Sequence, residues 1–210
     1  MANVLVIGAS GQIGKQATVK LLDAGHKVLA PVRSPDKLSD IENDNLTVVE
    51  QNLEDDFSAH FDGADVVVFT AGSGGNTGAE KTIMIDLWAA RNAVNYAKDA
   101  GTLKFVMISS IGAGDPDAVS SEIKPYLVAK HMADEHLINS GLHHVILRPG
   151  TLLNEPGTHL VRTDMPDNKD DAVIPREDVA TAIVESVARE SSDNIITYLF
   201  KGDTPISQVF

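Results

Sequence analysis

The chain has 210 residues, 43% of them hydrophobic and 22% charged, enough for one sizeable core and ordinary for a soluble globular protein. A formal net charge of −13 argues against a broad nucleic-acid surface or an anionic membrane as partner, but leaves room for one phosphate-bearing ligand held by backbone dipoles. There is no cysteine, so thiol and disulfide chemistry is excluded, and no apolar run approaches the ~18 residues of a membrane span. The opening MANVLVIGASG reads as a strand start and not as a targeting segment, so a cytoplasmic location is expected.

In chain order, NVLVIGAS (3–10) is an apolar run ending at a glycine, which suits a strand buried on both faces. Residues 11–26 have a helical pattern, with Ile13, Ala17, Val19, Leu21 and Leu22 on the buried side and Gly25 as a stop. Strands follow at 26–32, 46–50 and 64–71, then a long helical stretch at 79–101 and a strand at 104–110. A helix over 125–140 carries Pro125 in its first turn; a strand at 143–149, a helix at 175–189 and a last strand at 194–200 complete the pattern. Strands alternating with helices predict an α/β fold, a mostly parallel sheet covered on both faces. The chain is expected to be one domain over 1–210. Its loop-rich segment 150–175 is too short for a domain but long enough to line a small pocket.

Between the first strand and the first helix, Gly8, Gly11 and Gly14 form a Gly-x-x-Gly-x-x-Gly loop. Gly8 lets the chain turn sharply, Gly11 lets backbone approach a pyrophosphate, and Gly14 permits close packing of helix on strand. Free N–H groups at the helix start then face the phosphates, so Gly8, Ser10, Gly11, Gln12, Ile13 and Gly14 are expected to cradle a dinucleotide in a Rossmann-type, doubly wound fold. A Walker A loop is excluded, because Lys15 lacks the preceding glycine frame and a following Ser or Thr. An acidic residue at the end of the second strand would hold the ribose 2′-hydroxyl of NAD. This chain has Arg33 and Ser34, with Lys37 nearby, which suits the extra phosphate of NADP(H) better than NAD(H). Asn52 and Leu53, after the third strand, are placed to bond and cover the adenine, and Ala71, Gly72 and Ser73 are small enough to let a ribose and phosphate pass.

Within PYLVAKHMADEHL, Tyr126 and Lys130 lie four apart, on the same helix face. Taken alone, the pair is either a tyrosine resting on a lysine stem or a proton donor beside the cation that tunes it. The segments GASGQIG, VRSPDK, QNLED, KFVMISS, YLVAK and SGLHHVILRPGTL, in this order and spacing, resemble the short-chain dehydrogenase/reductase superfamily. More narrowly, they resemble its small atypical branch, related to epimerase/dehydratase enzymes and to flavin- and biliverdin-reductase-like proteins. The resemblance covers essentially the whole chain. It implies that Tyr126 is the proton donor or acceptor, that Lys130 holds the nicotinamide ribose and lowers the tyrosine pKa, and that Ser110, with Ser109 as its understudy, steadies the substrate oxygen. It also places Pro149, Gly150, Thr151 and Leu152 by the carboxamide side of the cofactor. The expected activity is NADP(H)-dependent hydride transfer to a small carbonyl or conjugated substrate. A cofactor-retaining epimerase or dehydratase, a reductase passing hydride directly to a flavin or quinone, and a non-catalytic NADP(H) sensor stand as alternatives. A monomer or homodimer is expected, and a bulky nucleotide-sugar substrate is disfavoured by the short region 150–175.

Other constellations read as structural. His131 with His136, and His143 with His144, lack metal-ligand spacing, and no metal site is expected. The acidic stretch TDMPDNKDD (163–171) lacks the spacing, glycine and terminal glutamate of a calcium loop. Asp115 and Asp117 read as turn residues, and Arg148 as a brace that pairs with an acid. Met84 and Trp88, four apart in the long helix, are expected to be buried.

Overall fold

Period-two alternation in the strands divides the core into two layers. In the computed structural model, which describes residues 1–75, 77–119, 122–190 and 193–210, the central strands are β1 (Asn3–Ile7), β2 (Lys27–Val32), β3 (Leu46–Glu50), β4 (Val66–Phe69), β5 (Lys104–Ile108) and β6 (His144–Pro149). Val4, Val6, Val66, Val68, Val106, Val145 and Leu147 point to one side, where they pack with α1 (Gln12–Asp23) and α5 (Arg176–Ala188). Leu5, Ile7, Val67, Phe69, Phe105, Met107 and Ile146 point to the other. That side is covered by α3 (Ala90–Asp99), α4 (Lys124–Ile138) and the rings of Phe57 and Phe61. Strands buried on both faces are the reason these segments read as unbroken apolar runs.

Beyond β6 come β7 (Thr151–Leu153), β8 (Leu160–Arg162), β9 (Val173–Pro175), β10 (Ile195–Lys201) and β11 (Thr204–Pro205). The nine-stranded sheet runs β11-β8-β10-β6-β5-β4-β1-β2-β3, parallel from β3 to β10, with β8 and β11 antiparallel to their neighbours. This is the Rossmann-like, doubly wound α/β order, and the direction of winding reverses between β1 and β4. A crevice opens there because the loops after these two strands leave to opposite faces. The segment 150–175 holds more structure than its composition suggested: β7 and β9 form a separate parallel pair, and β8 joins the main sheet. β10 is followed by β11, which is too short to carry a period-two signal.

The helical stretch from residue 79 is not uniform. A turn of α-helix, α2 (Ala79–Lys81), passes into a π-helical stretch, Thr82–Ala89, before α3 begins. Thr82, Ile85, Asp86 and Ala89 are buried, and Ala90, Ala93, Val94 and Ala97 continue the same stripe along α3, which leaves Trp88 on the other side. Trp88 is 48% exposed, with the Arg91 guanidinium 4.9 Å from its ring centroid, contrary to the burial expected from its four-residue spacing to Met84. Met84 is half-buried against the core. At the far end of the sheet, the buried Lys104 donates from Nζ to the carbonyls of Ser186 (3.0 Å), Val187 (3.4 Å) and Arg189, a cation satisfying the open carbonyls at the C-terminus of α5.

Two glycines set the geometry at the winding reversal. Gly8 adopts φ +90°, and a Cβ there would stand 2.5 Å from the Ala71 nitrogen. A Cβ on Gly14 would stand 2.2 Å from the Gly8 carbonyl oxygen and 2.7 Å from Thr70 Oγ1. Replacing Gly14 with Ala therefore pushes α1 off β1. The expected cost is about 1–3 kcal/mol of stability, read from the midpoint of urea denaturation.

Candidate active site

A cleft of about 710 Å³ lies at the carboxyl ends of β1, β4, β5 and β6. Its wall on one side is the glycine loop, Gly11 to Gly14, and on the other the loop after β4, from Thr70 to Gly75. Its floor and far end are Ser109, Ser110, Pro125, Tyr126, Lys130, Pro149, Gly150 and Leu152. Gly11 is the N-cap of α1, and no side chain caps the helix. Its first-turn N–H groups thus face the cleft without an internal partner. Together with the small side chains along 71–73, this makes the cleft fit a dinucleotide: open donors for phosphates and close backbone approach.

Helix α4 supplies the polar floor. Tyr126, Lys130 and Asp134 follow one another at four-residue intervals, so one stripe of the helix turns polar groups toward β5 and β6. Lys130 is 4% exposed, and its Nζ donates to the Ile108 carbonyl at 3.2 Å. The same Nζ stands 3.3 Å from Oδ1 of Asp86, which is completely buried, and 5.8 Å from the Tyr126 ring centroid. Burial pulls the Lys130 ammonium down, but Tyr126, Asp86 and Asp134 together more than offset this and hold it above the usual lysine value. The other oxygen of Asp86 accepts the Ser73 N–H at 2.9 Å, so one carboxylate ties the lysine to the loop after β4.

The two serines at the end of β5 differ. Ser109 is buried, and its hydroxyl donates to Asp134 Oδ2 at 2.8 Å. Arg148 reaches the same oxygen from Nε at 3.1 Å and Nη2 at 3.0 Å, which is the bracing role expected for it. Burial pushes the Asp134 carboxyl up, and Ser109, Arg148 and Lys130 offset this only in part. Ser110 is half-buried in the cleft, and among the described residues its hydroxyl donates to the neighbouring Ile111 carbonyl alone, at 3.2 Å, a weak tether. Of the pair, Ser110 is the one able to turn to a ligand.

The model of the NAD(P)H-binding family matches residues 8–190. The chain belongs to that family. It is 38% identical over 209 residues to a Bacillus subtilis protein named as an uncharacterized sugar epimerase, which covers 98% of this chain and 97% of that one. A Bacillus halodurans structure, provisionally named an NAD-dependent epimerase/dehydratase, superimposes with a TM-score of 0.92 at 38% identity, covering 100% of this chain and 98% of that one. The anaerobilin reductase of Escherichia coli O157:H7 shares the fold, with a TM-score of 0.80 at 23% identity over 96% of this chain and 98% of that one. The likeness to the small atypical short-chain dehydrogenases/reductases, read first from motifs, thus extends over the whole architecture.

Not every residue expected at the site is in the cleft. Gly11, Gln12, Ile13, Gly14, Ala71, Gly72, Ser73, Ser110, Tyr126, Lys130, Pro149 and Leu152 line it. Gly8 shapes the turn beneath it, and Ser10 faces an adjoining groove. Thr151 does not line it: between Gly150 and Leu152 in an extended segment, its side chain points the other way, into solvent. Arg33, Ser34 and Asn52 stand exposed just past β2 and β3, on the same edge of the sheet but outside this cleft, and Leu53 packs against the core. Asp86, Thr82 and Arg176 line the cleft and were not singled out from sequence. The available signal for Asp86 was a lone carboxylate in the apolar run TIMIDLWA.

Asp86→Asn leaves a buried ammonium unpaired, with an expected loss of about 3–5 kcal/mol. In a cycle with Lys130→Met, the double variant should lose at least 1 kcal/mol or so less than the sum of the singles, by urea denaturation. Strict additivity would show that the two charges do not interact.

Proposed function

We propose that the protein is an NADP(H)-dependent oxidoreductase that reduces, or reversibly oxidises, a small carbonyl or conjugated quinone- or flavin-like substrate. The observation that carries this reading is that Ser110, Tyr126 and Lys130 line one cleft with the glycine loop. When bound, the reduced nicotinamide supplies the hydride. Tyr126 gives its phenolic proton to the substrate oxygen, and the Ser110 hydroxyl stabilises the negative charge that develops there. Lys130 has three N–H donors. One goes to Ile108 and one faces Asp86, leaving one for the nicotinamide ribose.

Preference for the phosphorylated cofactor rests on Arg33 and Ser34 just past the end of β2, where a cation and a hydroxyl stand in place of the acid that would hold the ribose 2′-hydroxyl of NAD. A second reading, a cofactor-retaining epimerase, draws on the name of the Bacillus subtilis relative. Cofactor that co-purifies and shows no net absorbance change during turnover would favour it over the reductase.

Titration with NADPH and NADH, followed by an NADPH-oxidation screen over quinones, flavins, aldehydes and ketones, tests the reductase directly. Tyr126→Phe should leave cofactor affinity within about twofold and lower turnover by roughly two or more orders of magnitude. Undiminished turnover would remove Tyr126 from the mechanism. Arg33→Gln should weaken NADPH by about tenfold while leaving NADH within about twofold, measured by calorimetry.

A further inference from the structure

We propose that the guanidinium of Arg176, the first residue of α5, grips the pyrophosphate of the bound dinucleotide together with the N–H groups of the glycine loop. The inference rests on the family's cofactor binding and not on the catalytic role of Tyr126.

Arg176 sits where two grooves meet. One is the cleft described above. The other runs along α1 past Lys15 and Lys20. Among the described residues, Gly11, Gln12 and Arg176 line both grooves. The arginine therefore stands against the uncapped start of α1, where the family's glycine loop receives phosphate.

The charges around it are arranged so that its own stays unspent. Nη1 donates to the Leu152 carbonyl at 3.1 Å and to Asn154 Oδ1 at 2.7 Å. Both acceptors are neutral, so they orient the planar fork without cancelling its charge. Three acids close to it, Glu155, Glu177 and Asp178, are occupied by other donors. Glu155 is 3.3 Å from Lys201 Nζ. Glu177 takes the Gly157 N–H at 2.8 Å and Lys20 at 3.3 Å. Asp178 takes the N–H groups of Thr158 at 3.0 Å and His159 at 2.8 Å. Among the described residues, the cleft is lined by one other cation, Lys130, and Asp86 already pairs with it.

A pyrophosphate brings two negative charges into a chain that already carries −13. To the bonds of the neutral N–H groups, an oriented guanidinium can add two parallel charge-assisted bonds. The acids at 155, 177 and 178 hold the surrounding loop in place and leave the arginine to the ligand.

Calorimetry on the full chain, stripped of cofactor, tests the assignment with NADPH, NADH and ADP-ribose, which keeps the pyrophosphate but lacks the nicotinamide. Arg176→Gln should raise the Kd of all three by the same factor, about tenfold or more, leaving the NADPH-to-NADH ratio unchanged. Arg176→Lys, which keeps the charge and loses the fork, should fall between the two, and it keeps the test open if the glutamine variant fails to fold. Unchanged Kd values would overturn the assignment. So would a loss seen with NADPH and NADH but not ADP-ribose, which would move Arg176 to the nicotinamide end. A raised KM for the reducible substrate at unchanged cofactor Kd would place it on the substrate instead, and would also overturn it.

Discussion

A buried ammonium is the constraint around which this site is organised. Lys130 is almost wholly withdrawn from solvent, and an unpaired charge there would cost several kcal/mol. Its neutralisation requires a carboxylate from another element, and Asp86 supplies it. That carboxylate comes from the π-helical stretch after β4, Thr82–Ala89, whose buried stripe includes Asp86. The same carboxylate takes the Ser73 N–H and so holds the loop that forms one wall of the cleft. One ion pair thereby joins α4, the π-helical stretch and the loop after β4, while the Ile108 carbonyl joins them to β5.

The backbone meets an equally strict demand at the winding reversal. β1 and β4 are neighbours in the sheet, and the chain leaves them toward opposite faces. The loops can pass each other only if side chains are absent where they touch: Gly8 against Ala71, and Gly14 against the Gly8 carbonyl. The same absence of side chains brings N–H groups within reach of a phosphate. Packing and binding at this point share one physical cause, close backbone approach.

Charge is distributed with comparable economy. The polar stripe on α4 is buried because each group has a partner on another element: Lys130 with Asp86 and Ile108, Asp134 with Ser109 and Arg148. Those bonds take Ser109 out of contention and leave Ser110 to face the cleft. The loop 157–159 is held through its backbone N–H groups by two acids at the start of α5, and this leaves the adjacent Arg176 without an acidic partner among the described residues. An overall excess of acid therefore coexists with a cleft that holds open N–H donors and a guanidinium.

From the sequence alone followed whatever depends on local pattern: the parallel α/β class, from apolar runs alternating with 3.6-residue periods; the dinucleotide loop, from three glycines in their strand–turn–helix setting; and the Tyr126–Lys130 pair, from four-residue spacing. Only the tertiary structure decided features that depend on partners distant in the chain. Asp86 lies 44 positions before Lys130; a lone carboxylate in an apolar run marks it as unusual, but its partner is set only once the two helical segments pack. Trp88 emerged exposed because the buried stripe runs through Thr82, Ile85, Asp86 and Ala89, and four-residue spacing from Met84 does not say which face of the helix meets the core. Thr151 turned away from the cleft because alternation along an extended segment lets its neighbours in and keeps it out. The division has a plain cause: spacing along the chain reports which face a side chain takes within its own element, while the neutralisation of a buried charge depends on contacts that exist only once the elements are assembled.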